Sequence, residues 1–293
     1  MSNNLKVMSY NFYCRPRFTF WDNQVVRAKL LAKSICDWEE KNGKIDVLLL
    51  QEIFDDKANK IIKKDLKNIG FMFKSHRVKK LFKVNGGGLI YSRHPICELD
   101  NYTFKSGQIF NAAAAKGANY AKILKGDKHF HLINVHLDSF SEEIRKSQMI
   151  NMTKFIKEKN IPEDETIIIG GDYNIDMYKE EINTVDEVFE YEFVDLKEEN
   201  FTQYSIHKDN DWIERRITSK DDPDNKAELL DFFIFSSEDV DETEMKIVKL
   251  KQDQKAHDIV LSTSFFVNIV KPWKSLKVED LSDHYAVCCD FKY

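Results

Sequence analysis

Ile167-Ile168-Ile169-Gly170-Gly171-Asp172-Tyr173-Asn174 is the stretch on which the fold turns. A β-branched apolar run followed at once by two glycines predicts a buried strand, then a sharp turn with close backbone approach. Asp172 and Asn174 stand two apart, so both can point into one cleft. Taken alone, the segment reads equally well as a turn whose side chains bond their own backbone. Ser9-Tyr10-Asn11, Leu50-Gln51-Glu52 and Ser282-Asp283-His284 repeat the theme of a polar residue beside an apolar run. Together the four segments carry the parts needed for metal-assisted phosphodiester hydrolysis. Glu and Asn oxygens suit a hard cation, and a His beside a carboxylate can activate water.

Outward from this stretch, strand patterns cover Leu5–Tyr13, Asp46–Gln51, Gly88–Ser92, Phe130–His136 and Thr166–Ile169. Helical spacing covers Asn23–Glu40, Asp55–Asn68 and Ser141–Lys159, with Asp55 as an N-cap and Glu142 and Glu143 suiting the third helix dipole. Strands also adjoin without helices: Phe71–His76 with Leu89–Tyr91, and Tyr120–Leu124 with His129–Val135 through Lys125-Gly126-Asp127. This mixture predicts an α/β sandwich of packed sheets flanked by helices. No repeat or low-complexity linker divides the 293 residues, so a single domain over 1–293 is expected.

Composition narrows the function. A formal net charge of -5 gives no support to general polyanion binding, and the lysines of Asp55–Asn68 read as a solvated helix face. The five cysteines are odd in number and lack metal-ligand spacing, so mostly buried thiols are expected. Cys288 and Cys289 should face opposite sides of a strand. No apolar stretch nears the roughly 20 residues of a membrane-spanning helix. The N-terminus has no signal-peptide pattern, which favours a cytoplasmic protein with peripheral membrane contact, or a secreted mature form.

Glu52 ends a strand apolar enough to be central, where an unpaired carboxylate is costly to bury. Asp231 is a lone carboxylate inside Leu229-Leu230-Asp231-Phe232-Phe233-Ile234-Phe235 and calls for a protonatable partner such as His284. His136, at the end of a strand, is the second candidate imidazole. His76, His94, His129, His131, His207 and His257 read as surface or structural.

Jointly these segments resemble the endonuclease/exonuclease/phosphatase superfamily, and within it the neutral sphingomyelinases of the bacterial sphingomyelinase C type. Further matching stretches are Leu50-Gln51-Glu52-Ile53-Phe54-Asp55, Phe104-Lys105-Ser106-Gly107, Lys116-Gly117, Asn134-Val135-His136-Leu137, and Arg145 with Gln148. The resemblance implies a four-layered α/β/β/α sandwich of two mixed sheets, DNase I-like, with the site at one rim. It implies Mg²⁺, replaceable by Mn²⁺ or Co²⁺, on Glu52, Asn11 and Asp172. His284 becomes the general base, oriented by Asp231 or Asp283. Asp172 and Asn174 contact the phosphoryl group and metal-bound water, His136 stabilises the charge that builds on phosphorus or the leaving oxygen, and Asn174, His136 and Lys116 bind substrate. An aromatic segment, Ile259–Trp273, with Phe265 and Phe266, would meet the lipid surface. Its alternative is a pair of ordinary core strands.

The implied reaction is hydrolysis of sphingomyelin, or a related choline phospholipid, to ceramide and phosphocholine by a monomer that holds no nucleic acid stably. The chain departs from the pattern where Val84-Asn85 stand before Gly86-Gly87 in place of an acidic pair. That departure puts a second, peripheral metal in question, although Asp55 or Asp56 could still contribute. The alternatives are an abasic-site or DNase-type nuclease, an inositol-phosphate phosphatase, and a non-catalytic membrane-binding module.

Overall fold

A computed structural model describes residues 4–16, 22–78, 86–104, 116–197, 202–214, 227–240, 243–251, 258–260, 275–277 and 279–293. The chain begins with strand β1 (Asn4–Cys14), helix α1 (Gln24–Asn42), β2 (Val47–Ile53) and α2 (Asp56–Asn68). Next come β3 (Phe73–Lys74), β4 (Leu89–Ser92), β5 (Ile96–Thr103), β6 (Gly117–Lys125), β7 (Lys128–His136), α3 (Glu142–Lys157) and β8 (Thr166–Asp172). The remainder is α4 (Ile182–Phe189), β9 (Glu192–Phe193), α5 (Asp211–Glu214), β10 (Asp231–Ser236), β11 (Met245–Val248), β12 (Asp258–Val260), β13 (Ser275–Lys277) and β14 (Ala286–Lys292).

One six-stranded sheet runs β11-β14-β1-β2-β4-β3 and the other β5-β6-β7-β8-β10-β9. Both are mixed, because β1 pairs parallel with β2, and β7 with β8, among antiparallel neighbours. The first sheet is apolar on both faces, as a sheet covered on both sides must be. Leu5, Val7, Val47 and Leu49 join the core that contains the second sheet and α3. Met8, Tyr10, Leu48 and Leu50 join the core under α1 and α2. Helices thus cover the outer face of each sheet, giving the expected four layers. Cys288 belongs to one core and Cys289 to the other, as their alternation predicts.

Local chemistry explains the elements. Asp55 caps α2 by accepting from the Ala58 amide at 2.9 Å, and Ser141 caps α3 through Ile144. Lys57, Lys60, Lys63, Lys64 and Lys67 are exposed along α2. Gly126, at φ 65, opens the two-residue turn between β6 and β7. All five cysteines are free, three of them buried, while Cys97 is exposed.

Two expectations change. Gly170 and Gly171 lie within β8, not in a turn after it. A Cβ on Gly170 would come within 2.4 Å of the Phe233 ring, and one on Gly171 within 2.1 Å of the Val135 carbonyl. The glycines therefore admit neighbours, and the reversal falls at Asn174, at φ 52. The strand expected over Phe71–His76 shortens to Phe73–Lys74, because Ser75 pairs with Ile90 through both its amide and its hydroxyl.

Candidate active site and metal centre

Parallel pairing brings the ends of β1, β2, β7 and β8 to one rim, where antiparallel β10 and β14 begin. Asp172 stands in register with both His136 and Asp231. Asn11 pairs with Gln51, next to Glu52. Six residues spread over 274 positions thus meet because topology places their strand ends side by side.

Asn11 is the hinge of the cluster. Its amide Nδ2 donates to Asp172 Oδ2 at 2.9 Å and to Glu52 Oε1 at 3.3 Å. His136 Nε2 lies 3.6 Å from Asp172 Oδ2 and 3.9 Å from Glu52 Oε1. Lys116 Nζ stands 3.3 Å from the same His136 nitrogen and donates to the Leu137 carbonyl at 3.0 Å. Asn174 Nδ2 donates to that carbonyl too, at 3.2 Å, while the Asn174 amide donates to Asp172 Oδ1 at 2.9 Å. The side-chain-to-backbone turn and the cleft are therefore both present. Of the two acids considered for orienting His284, Asp231 makes the contact, Nδ1 to Oδ2 at 2.7 Å. Asp283 stays close enough to influence the charges of Glu52 and His284.

Burial and like charge dominate the electrostatics. Burial, then the Asp231 charge, push Asp172 up to about 7. Burial, then Asp283, also raise Glu52. His284 is lowered by burial, but Asp231, Asp172 and Asp283 outweigh this and bring it to about 10. His136 goes the other way, well below its ordinary value, through burial and then the Lys116 charge. Burial also lowers Lys116.

This donor set fits a hard divalent cation. Glu52 and Asp172 bring two carboxylates to one point, and burial first, then a neighbouring acid, raises both; Asn11 faces them with its amide nitrogen, while its Oδ1 accepts from the Tyr13 amide at 3.1 Å. Asp172, Asp231 and His284 also offer atoms mutually within 4.8 Å. The short His284–Asp231 bond already engages two of those three groups, so the Glu52 side of Asp172 is the better place for a metal. Asp231 Oδ1 is buried with no hydrogen-bond partner among the described residues.

Supporting residues escaped the sequence reading. Ser205 Oγ accepts from the amides of Leu230 and Asp231, fixing the start of β10. Ser282 Oγ donates to the Asn11 carbonyl at 2.6 Å, tying the Ser-Asp-His segment to β1. Arg27, fully buried, donates to the carbonyls of Phe12, Tyr13, Asp22 and Leu281, between 2.7 and 2.9 Å. Its signal was an Arg in line with Leu31 and Ile35 on the buried stripe of α1. His131 is structural, set between Tyr120 and Glu165.

Two positions that could contribute to a peripheral metal have protein partners. Asp55 caps α2, and Asp56 pairs with Arg77. Val84, Asn85, Lys105, Ser106, Gly107, His257, Phe265 and Phe266 lie outside the described residues. Near the last two, β12 and β13 pair with each other in a separate two-stranded sheet, apart from both main sheets.

Fold and rim define a two-sheet α/β protein with a buried acid–imidazole cluster. The chain belongs to the Endonuclease/Exonuclease/phosphatase family, whose model matches residues 8–248. Sphingomyelinase C of Bacillus cereus is 29% identical over 314 residues, covering 98% of this chain and 88% of that protein. A crystal structure of beta toxin from Staphylococcus aureus superposes with a TM-score of 0.80 at 25% identity, over 97% of this chain and 99% of that one. A variant of the same toxin, solved with bound magnesium ions, shares the fold at a TM-score of 0.82 and 24% identity, over 99% of this chain and 100% of that one.

Proposed function

We propose that this chain is a magnesium-dependent phosphodiesterase that hydrolyses sphingomyelin, or a closely related choline phospholipid, to ceramide and phosphocholine. The observation that carries the proposal is Asn11 bridging Glu52 and Asp172 beside the His284–Asp231 pair. The near full-length likeness to sphingomyelinase C supports the substrate class.

Water adds to phosphorus as the phosphorus–oxygen bond to the ceramide alcohol breaks. With Nδ1 of His284 engaged by Asp231, Nε2 is the atom left to take the water proton. Asp231 fixes the tautomer and stabilises the imidazolium that forms. Magnesium, if bound, would be held by Glu52 and Asp172 with Asn11 beside them, and would supply Lewis-acid polarisation of the phosphoryl group and positive charge against the carboxylates that raise His284. Asn174 and the Lys116–His136 pair are the donors assigned to the phosphoryl oxygens and the leaving alkoxide, and the one proton that His284 takes from water balances the one the alkoxide gains on departure.

Contact with lipid is peripheral in this proposal. No helix among the described residues is long and apolar enough to cross a membrane. Phe265 and Phe266, in the sequence between the paired strands β12 and β13, are the residues proposed to meet the bilayer, with the enzyme acting as a monomer. The test is a headgroup-release screen with magnesium, using sphingomyelin micelles, phosphatidylcholine and abasic duplex DNA as substrates. Phosphocholine release from sphingomyelin, abolished by EDTA, is the expected result. Strand cleavage without phosphocholine release overturns the proposal in favour of a nuclease.

A further inference from the structure

Arg77 touches none of the residues assigned to chemistry above, yet it grips the turn that carries one of them. Its Nη1 donates to the Ile53 carbonyl at 3.1 Å and the Phe54 carbonyl at 3.2 Å, and its Nη2 pairs with the Asp56 carboxylate. The arginine side chain is 10% exposed although that of Asp56 is 72% exposed, so the guanidinium is packed into the turn rather than laid over it. All three acceptors fall within the four residues after Glu52.

Glu52 needs such support. It holds φ 57, a left-handed conformation that a side-chain-bearing residue keeps only when its surroundings enforce it. Neighbouring chain secures the amides of the turn: Ile53 donates to the Gly87 carbonyl at 2.9 Å, and Phe54 and Asp55 donate to the Cys14 carbonyl at 3.0 and 3.1 Å. Gly87 packs so closely that a Cβ there would lie 2.7 Å from the Glu52 Cα. The carbonyls of Ile53 and Phe54 point the opposite way, into the guanidinium fork. Two carbonyls and a carboxylate form an oxygen set that a hard cation could occupy; here a side-chain cation occupies it.

We propose that Arg77 is a positioning residue for the metal ligand: its guanidinium braces the turn at Ile53, Phe54 and Asp56 so that the Glu52 carboxylate is held toward the divalent cation. This rests on the assignment of Glu52 as a magnesium ligand. The strain at Glu52 is then maintained by a charge the chain always carries, independent of any second ion.

The experiment is calorimetric titration of magnesium into the full chain after chelator treatment, for wild type, Arg77→Ala, Arg77→Lys and Glu52→Gln. Arg77→Ala is expected to weaken magnesium binding about tenfold or more, the usual effect of losing a group that orients a ligand. Guanidinium chloride, far below unfolding concentrations, should restore much of the loss in Arg77→Ala and none in Glu52→Gln. Arg77→Lys keeps the charge but cannot span all three oxygens, so it should lose affinity in the same direction. Wild-type affinity in Arg77→Ala, with binding lost in Glu52→Gln, overturns the Arg77 role and leaves the metal assignment standing. Wild-type affinity in Glu52→Gln overturns the metal assignment itself. A loss in Arg77→Ala that guanidinium does not relieve marks general damage and also overturns the proposal. If Arg77→Ala does not fold, unchanged affinity in Arg77→Lys decides against it.

Discussion

Nδ1 of His284 is engaged by Asp231 at 2.7 Å, while Nε2 lies 4.0 Å from Asp172 Oδ2, on the side where the metal-ligand candidates gather. One imidazole thus faces the Asp231 carboxylate with one nitrogen and the proposed reaction space with the other. His284→Ala should lower phosphocholine release by at least about 100-fold, the usual contribution of a positioned base. Magnesium should still bind, since Glu52 and Asn11 keep their hydrogen bond and only the imidazole near Asp172 is removed. Undiminished turnover in that variant would remove His284 from the mechanism. The residues that meet at the rim were readable because each polar group interrupts or ends an apolar run, where burial demands a partner. Ser205 and Arg27 were harder, since their partners are main-chain groups far away in sequence.

Among the elements, β8 shows how a correct strand can hide a wrong turn. Gly-Gly was read as a bend, yet both glycines pair in register with Phe232 and Phe233 of β10. Only the neighbours, a phenyl ring and a carbonyl, explain why side chains are absent there. Gly170→Val should therefore destabilise the protein by about 1–3 kcal/mol or more through overpacking, measured by urea unfolding. Wild-type stability would mean that the Phe233 ring moves aside freely. The alternating cores of β1 and β2 and the caps of α2 and α3 were legible, because period and capping chemistry are local. β5 was missed because it is an edge strand, largely exposed from Cys97 to Asp100, with no apolar alternation to read. β9 spans two residues, and only its pairing with β10 defines it.

At the scale of the molecule, one source of acid response lies in a cluster away from the rim. Glu165 accepts from Lys122 and His131; although burial acts against them, these bonds hold its carboxyl at about 2, below the ordinary 4.5. His131 is itself lowered, because burial at 2% exposure outweighs the same carboxylate, which keeps more contact with water. The unfolded chain therefore binds more protons at both groups, and stability falls on acidification. The His131 share is lost as pH drops below 6.5, and the Glu165 share from 4.5 toward about 2. Glu165→Gln should flatten the fall in melting temperature below pH 4.5; an unaltered slope would place the acid sensitivity elsewhere. The sandwich itself was legible from the mixture of helix-linked and hairpin-linked strands. The order of strands within each sheet was not, since pairings such as Asn4 with Lys292 leave no local mark.

That pairing has a consequence for biosynthesis. β14 inserts between β11 and β1, so β1 must wait for residues 286–292 before that edge is closed. His284, the proposed base, emerges only just ahead of this closing strand. A nascent chain therefore holds most of a hydrophobic sheet with a bare edge until residues 286–292 have been made.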